Sequence, residues 1–348
     1  MDTEAASFHK YRDRIYLVQL STRAATAVLD PLALPDLTPL GELLADRAVE
    51  KVFHDADYDL RILDRDYGFR AAHLSDTRIA AQLAGEAAIG LAALLEKYLG
   101  LKLSKEHQKA DWSRRPLPAG MLAYAAADTR SLPALRDALL ARLGELGRTA
   151  WAEEEFDRLE SLRWTGATDG TDAYLRIKRA KSLTGRQLAA LRELYRWREE
   201  LGAQQDRATF RIIGNEALLA VSRALPRTRA ALAQTPGLPA TLAARHEAAL
   251  LESVRRALAL DEGSLPRIER AARVPRNPDF DARVEQLKAV RNRVAAQLSL
   301  DPGVLCGRGT LEAVARARPN DRAGLAQVSE LRRWQIEVLG DALLAALA

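Results

Sequence analysis

Acids in three separated places carry the chemistry that this chain's residues could do. Asp2 and Glu4 stand two residues apart. In a strand, period-two alternation would point both carboxylates to one face. The run Lys51-Val52-Phe53-His54-Asp55-Ala56-Asp57-Tyr58-Asp59-Leu60 passes from strand into helix with acids in its early turns. Acids there have an ordinary explanation too, because the helix macrodipole favours carboxylates at an N-terminus. Tyr124 and Asp128 fall at i and i+4 and share a helix face, so a phenol and a carboxylate project side by side. With only five His and one Cys in the whole chain, three or four convergent carboxylates form an oxygen donor set suited to a hard divalent cation such as Mg²⁺. Two such ions about 4 Å apart can activate a water and stabilise the leaving oxygen of a phosphodiester. Each pair alone is weak: Asp-x-Glu is common in acidic strands, and Tyr-x-x-x-Asp is common on helix surfaces.

The elements that must position these acids come in a clear order. Residues 15–21 and 24–29 are apolar and β-branched and predict two short strands. Thr38 before Pro39 predicts a helix start, leading through residue 44 to a strand at 50–53. Apolar residues at three- and four-residue spacing then predict helices near 57–67, 76–84, 89–99 and 119–146, with Gly68, Gly85, Gly100 and Gly147 near their ends. Strands first and helices afterwards predict an α/β sheet layer over 1–150. The turn formers from Thr165 to Thr171 mark a linker within a connecting segment, 151–180. Beyond it everything is helical. Amphipathic runs at 183–201 and 214–225 define a small helical domain over 181–260, and a Pro- and Arg-rich linker at 261–278 leads to a second over 279–348. Leu218, Val221 and Pro226 recur as Leu311, Val314 and Pro319, each 93 residues later, consistent with two copies of one domain.

Composition bounds the setting. At 348 residues, 48% apolar and 28% charged, the chain can bury sizeable cores in two or three domains. The single Cys306 closes no internal disulfide, and a Cys-rich zinc site is excluded. No run approaches the ~20 apolar residues of a membrane helix, and Met1-Asp2-Thr3-Glu4 lacks a signal-peptide pattern, so no membrane partner and a cytoplasmic location are expected. Residues 1–150 hold 20 basic and 21 acidic side chains, whereas 176–229 hold 13 basic and 5 acidic. Arg presents a planar fork of donors to phosphate, so this segment is expected to bind a nucleic-acid backbone, with Arg192, Arg196 and Arg198 among its contacts. An overall bias, 43 Arg against 9 Lys, accounts for part of the excess.

Taken together and in order, the acid motifs resemble the ribonuclease D family of 3′→5′ exonucleases, in the tyrosine-bearing branch of the four-acid group. Asp2-Thr3-Glu4 matches its first motif, Lys51-Val52-Phe53-His54 followed by Asp59-Leu60 its second, and Tyr124 to Asp128 its third. Asp76-Thr77-Arg78-Ile79-Ala80-Ala81 and Asp111-Trp112-Ser113-Arg114-Arg115-Pro116-Leu117 look like further landmarks. Residues 188–226, with Leu191-Arg192, Trp197-Arg198 and Ile212, resemble the helicase-and-ribonuclease-D C-terminal (HRDC) domain. The second copy resembles it less closely and lacks the Trp-Arg pair. The resemblance implies an α/β ribonuclease H-like mixed-sheet exonuclease domain followed by one or two small all-α helical-bundle domains. It further implies Mg²⁺ or Mn²⁺ as a pair of ions on Asp2, Glu4, Asp59 and Asp128, with Tyr124 hydrogen-bonded to the attacking water. RNA is the implied partner, tRNA precursors the typical substrate, and a monomer the expected state. His54 is read as structural, closing the strand before its helix. Phe8, Tyr11 and Trp112 are candidates to stack on terminal bases, with core packing the competing reading.

In that family the first motif ends an apolar strand, yet only Met1 precedes Asp2 here, and Ala5 replaces the usual aromatic. Asp2 is therefore expected on a frayed terminus, with about five apolar residues expected upstream. The leading reading is a metal-dependent exoribonuclease. The second is a 3′→5′ exonuclease acting on DNA, since the same acids serve both substrates. The third is a nucleic-acid-binding protein with a disabled nuclease domain, against which the intact acids stand.

Overall fold

Three short strands hold the first motif. β1 (Asp2–Ala5), β2 (Ile15–Ser21) and β3 (Thr26–Leu29) form an antiparallel sheet in that order. Asp2 pairs with Gln19 and Glu4 with Leu17. A parallel pair, β4 (Lys51–Phe53) and β5 (Leu74–Asp76), completes the mixed strand set. The Met1 amine donates to the Val52 carbonyl at 2.6 Å, tying β1 to β4. Asp2 therefore lies in a paired strand and is not frayed, which corrects the sequence-based expectation. Between the β2–β3 hairpin and β4 lies a cavity of about 440 Å³, walled by residues including Met1, Leu20, Val52 and Leu132. The computed structural model describes residues 1–104, 106–166, 172–268 and 277–348.

Around the strands stand α1 (Thr38–Ala45), α2 (Ala56–Tyr67), α3 (Thr77–Ala84), α4 (Leu91–Leu99), α5 (Ala119–Arg130), α6 (Leu132–Glu145) and α7 (Thr149–Leu159). Thr38 does not cap α1: Leu37 holds the cap position, and the Asp36 carboxylate accepts the Thr38 N–H instead. The helix expected over 119–146 is two helices broken at Ser131, because Pro133 in the first turn of α6 has no N–H to continue the ladder of α5.

The chain forms two compact units. The second unit joins Ala6–Arg14 to Thr165–Val274. Of its two linkers, residues 167–171 and 269–276 lie outside the described residues. Its helices are α8 (Gly185–Gln205), α9 (Asn215–Ala224), α10 (Arg229–Ala233), α11 (Ala240–Arg245) and α12 (Glu247–Leu258). A capping box of Thr184 and Gln187 starts α8, and Leu191, Leu194, Leu218, Val221, Leu250 and Val254 build the core. The segment after the first motif lies on this unit: the Ala208 N–H donates to the His9 carbonyl at 3.0 Å, and the Phe8 ring meets the edge of Phe210 at 5.0 Å.

The remaining helices, α13 (Pro278–Leu298), α14 (Pro302–Leu305), α15 (Arg308–Ala317), α16 (Arg322–Ala326) and α17 (Arg333–Leu347), belong to the first unit. One apolar core runs from Leu83, Leu94, Leu139 and Phe156 to Leu287, Val314, Trp334 and Leu343. Trp151 stacks on Trp334 at 4.8 Å, and the Glu154 carboxylate accepts the first N–H groups of α17, from Arg333 at 2.8 Å and Trp334 at 3.1 Å. A helix N-terminus is thus capped by an acid from α7, about 180 residues earlier in the chain, satisfying donors that would otherwise be orphaned.

Candidate active site

Strand alternation turns Asp2 and Glu4 to one side of β1, where α5 delivers Asp128; a carboxylate oxygen of each of the three lies within 4.8 Å of those of the other two. Thr3 faces the other way and donates its hydroxyl to Asp59, on the first turns of α2. The structure therefore brings three of the four acids into one group. Asp59 stands beside them: its charge acts on Glu4, and the charge of Asp2 acts on it.

Like charges this close raise one another's proton affinity. Burial, then the charges of Asp2, Asp128 and Asp59, push Glu4 up to about 9. Burial and then Asp2 push Asp128 up to about 7, against the hydrogen bond from Tyr124. Asp59 and Asp2 are raised as well, burial being the larger cause in each. Among the described residues no lysine or arginine figures among the charges that shift these acids, and the Met1 amine opposes the rise of Asp2 and Asp59. Carboxylates held apart from any basic side chain are a donor set that fits divalent cations.

Tyr124 lies one turn before Asp128 and donates to its carboxylate. Burial and the neighbouring acids raise its phenol well above the ordinary range, so it is a donor and no base at neutral pH. The rings of His107 and Trp112 flank it at 5.7 and 6.2 Å. Trp112 is 1% exposed, which removes it from the candidate base-stacking residues. Phe8 is 43% exposed and sits in the second unit, as does Tyr11, which is half-buried. Asp2, Tyr124, Asp128 and His54 share one cleft of about 320 Å³ with the start of α4.

Sequence reasoning named Asp76 only as a landmark, and the structure gives it work. Its buried carboxylate accepts four backbone N–H groups: Arg78 and Ile79 at the start of α3, at 2.8 and 3.2 Å, and Asp55 and Ala56 at the start of α2, at 3.1 and 2.7 Å. Asp55 has φ 70°, a left-handed conformation that costs energy for a residue with a Cβ, and the clamp holds it there. The turn so fixed sets the direction of α2 and hence of Asp59. The sequence placed Asp76 at the start of a helix expected over 76–84; its reach across to residues 55 and 56 joins positions too far apart to be read there.

A family model described as 3′-5′ exonuclease matches residues 1–144, and one described as HRDC domain matches twice, over 187–254 and 280–347. Fold and site together define a 3′→5′ exonuclease of ribonuclease H-like fold followed by helical HRDC domains. A ribonuclease D of Granulibacter bethesdensis is 33% identical over 348 residues, spanning 99% of this chain and 86% of its own. The crystal structure of Escherichia coli RNase D, described as an exoribonuclease involved in structured RNA processing, superposes with a TM-score of 0.69 at 26% identity, covering 99% of this chain and 92% of that one. A protein from Bifidobacterium adolescentis superposes with a TM-score of 0.81 at 26% identity, covering 99% and 90%. The chain belongs to the ribonuclease D family and is a 3′→5′ exoribonuclease. Among the described residues no helix is long and apolar enough to cross a membrane.

Proposed function

We propose that this exoribonuclease trims the 3′ ends of structured RNA, tRNA precursors being the expected natural class, as a cytoplasmic monomer and with a pair of divalent ions held by Asp2, Glu4, Asp59 and Asp128. The observation that carries the reading is the acid group itself: Asp2, Glu4 and Asp128 within 4.8 Å, all raised in proton affinity, with no lysine or arginine of the described residues among the charges that shift them. When bound, Mg²⁺ or Mn²⁺ supplies Lewis acidity at the scissile phosphate and lowers the pKa of a water. The chain's own groups do the rest. Asp2 and Glu4 hold the substrate side of the cleft in register through strand pairing. Asp59 is oriented by the Thr3 hydroxyl and by the clamp at Asp76. Tyr124, protonated, orients the attacking water, and Asp128 accepts its hydrogen bond. The match to an RNase D described as processing structured RNA supports the substrate class.

Asp128→Asn and Asp59→Asn should each lower nucleotide release by about 10³-fold or more while leaving the thermal melt in EDTA unchanged, because the electrostatic contribution of a metal pair is worth several kcal/mol. Isothermal titration with Mn²⁺ alone should show the metal stoichiometry fall in the same variants. Wild-type turnover in Asp59→Asn would overturn its place in the site. Equal trimming of 3′-tailed DNA and RNA would favour the DNA reading.

A further inference from the structure

His54 follows β4 directly and lines the cleft that holds Asp2, Tyr124 and Asp128. Its Nδ1 lies 2.9 Å from the Thr77 Oγ1, and that hydroxyl lies 3.1 Å from the Phe53 carbonyl. A carbonyl can only accept, so the single hydroxyl proton of Thr77 goes to Phe53. Thr77 is then the acceptor for His54, and the proton of the neutral ring must sit on Nδ1. The other nitrogen, Nε2, is left as a lone pair. Burial lowers the pKa of the ring, with Asp76 and Asp55 opposing, so the neutral form prevails at pH 7. The ring therefore offers the cleft an acceptor.

An acceptor needs a donor, and substrate chemistry narrows the choice. The scissile phosphate has only acceptor oxygens at neutral pH. Base N–H groups differ among the four nucleotides, whereas an enzyme that steps along RNA gains from a contact every nucleotide carries. Ribose hydroxyls are donors present in each nucleotide, next to the phosphate, and the 2′-hydroxyl is what separates RNA from DNA. We propose that His54 is a specificity residue whose Nε2 accepts a hydrogen bond from a ribose hydroxyl of the 3′-terminal nucleotide. The inference rests on the exoribonuclease reading of the same cleft and adds to it a residue that reads the sugar.

The test uses the full chain with Mg²⁺ and three RNA oligonucleotides that differ only in the last sugar: ribose, 2′-deoxyribose or 3′-deoxyribose. In the wild type, removing the hydroxyl that His54 holds should lower kcat/KM by roughly tenfold to a hundredfold, since a polar group in the site is left unpaired. The 2′ and 3′ arms identify which hydroxyl it is. His54→Phe should bring the ribose substrate down to that level while leaving the corresponding deoxy substrate as fast as in the wild type, which also shows that the fold is intact. His54→Gln keeps an acceptor near the position of Nε2 and should retain most of the discrimination. Equal losses on ribose and deoxy substrates in His54→Phe would overturn the proposal, as would a wild type indifferent to both hydroxyls. A wild type that released nothing from any of the three would instead overturn the reading of the cleft as a nuclease site, and this inference with it.

Discussion

The two helical copies share a frame offset by 93 residues throughout. α8 and α13 are each 21 residues long, α9 and α15 each 10, and α10 and α16 each 5. Leu225 and Arg318 end α9 and α15 in the left-handed region, and Thr228 and Asp321 cap the next helices. Arg198 and Arg291 both reach the loop carbonyl fifteen residues on, Ile213 at 3.4 Å and Cys306 at 3.0 Å. The second copy therefore keeps the arginine of the Trp-Arg pair and substitutes only the aromatic, Val290 for Trp197. What differs is the outer surface. Arg332, Arg333 and Trp334, which dock on α7, correspond to Pro239, Ala240 and Thr241 in the first copy. Phe210 and Arg211 of the first copy are exposed, with Arg211 placed over the Phe8 ring; their counterparts are Gly303 and Val304. One frame thus serves two ends: a copy consumed by packing against the nuclease, and a copy that keeps aromatic and basic groups in water.

The largest effect expected from that difference is on stability. Trp334→Ala removes a side chain that is 2% exposed, stacked on Trp151 and bonded through its ring N–H to Glu155 at 2.9 Å. It should cost about 3–5 kcal/mol in urea unfolding. Phe210→Ala, at a residue 49% exposed, should stay within about 0.5 kcal/mol. Similar costs for the two would erase the distinction between a surface packed on α7 and an exposed one.

Much of this was legible because it is local. Strand alternation, i to i+4 pairing and the glycines closing α2, α3 and α4 are read from neighbours along the chain, and they locate Asp2, Glu4, Tyr124 and Asp128. Distant partners decided the rest. The Thr3 to Asp59 bond joins residues 56 apart, the reach of Asp76 spans 20 and 21, and the cap of Glu154 on α17 spans about 180. No window of sequence holds both ends of such a bond. Arg198 is instructive in the same way: grouped with Arg192 and Arg196 as a phosphate contact, it is 5% exposed and bonded to Asn215 at 2.7 Å, so it holds the fold and is withdrawn from the RNA-facing set.

A smaller effect separates the nuclease from the arginines by pH. Asp128 near 7 and Glu4 near 9 hold protons that a divalent cation must displace. Protons are released as metal binds, so Mg²⁺ affinity should rise with pH between about 7 and 9, by up to roughly tenfold per unit for each proton displaced. RNA binding in EDTA, carried by arginines that keep their charge throughout, should be flat over the same range. A metal affinity independent of pH would mean the acids are already ionised without a cation.

The smallest effect concerns salt. Replacing Arg192 and Arg196 with Gln should reduce the slope of log K against log salt by about 0.7 for each phosphate left without its arginine, with the melting temperature retained. Arg198→Gln should lower stability instead, since it leaves the Ile213 carbonyl and Asn215 without their donor. An unchanged slope in the double variant would assign phosphate binding to other residues.

The most direct measurement is a time course on 5′-labelled RNA with a single-stranded 3′ tail, run with Mg²⁺, with EDTA, and with Tyr124→Phe. A ladder shortening by single nucleotides from the 3′ end is expected with Mg²⁺ and no products with EDTA. Tyr124→Phe should slow the ladder about 10²-fold without weakening RNA binding, as expected for a hydroxyl that orients water in the transition state. Internal cleavage, a ladder that persists in EDTA, or an undiminished rate in Tyr124→Phe would contradict the assignment of this acid group as a metal-dependent 3′→5′ exonuclease centre.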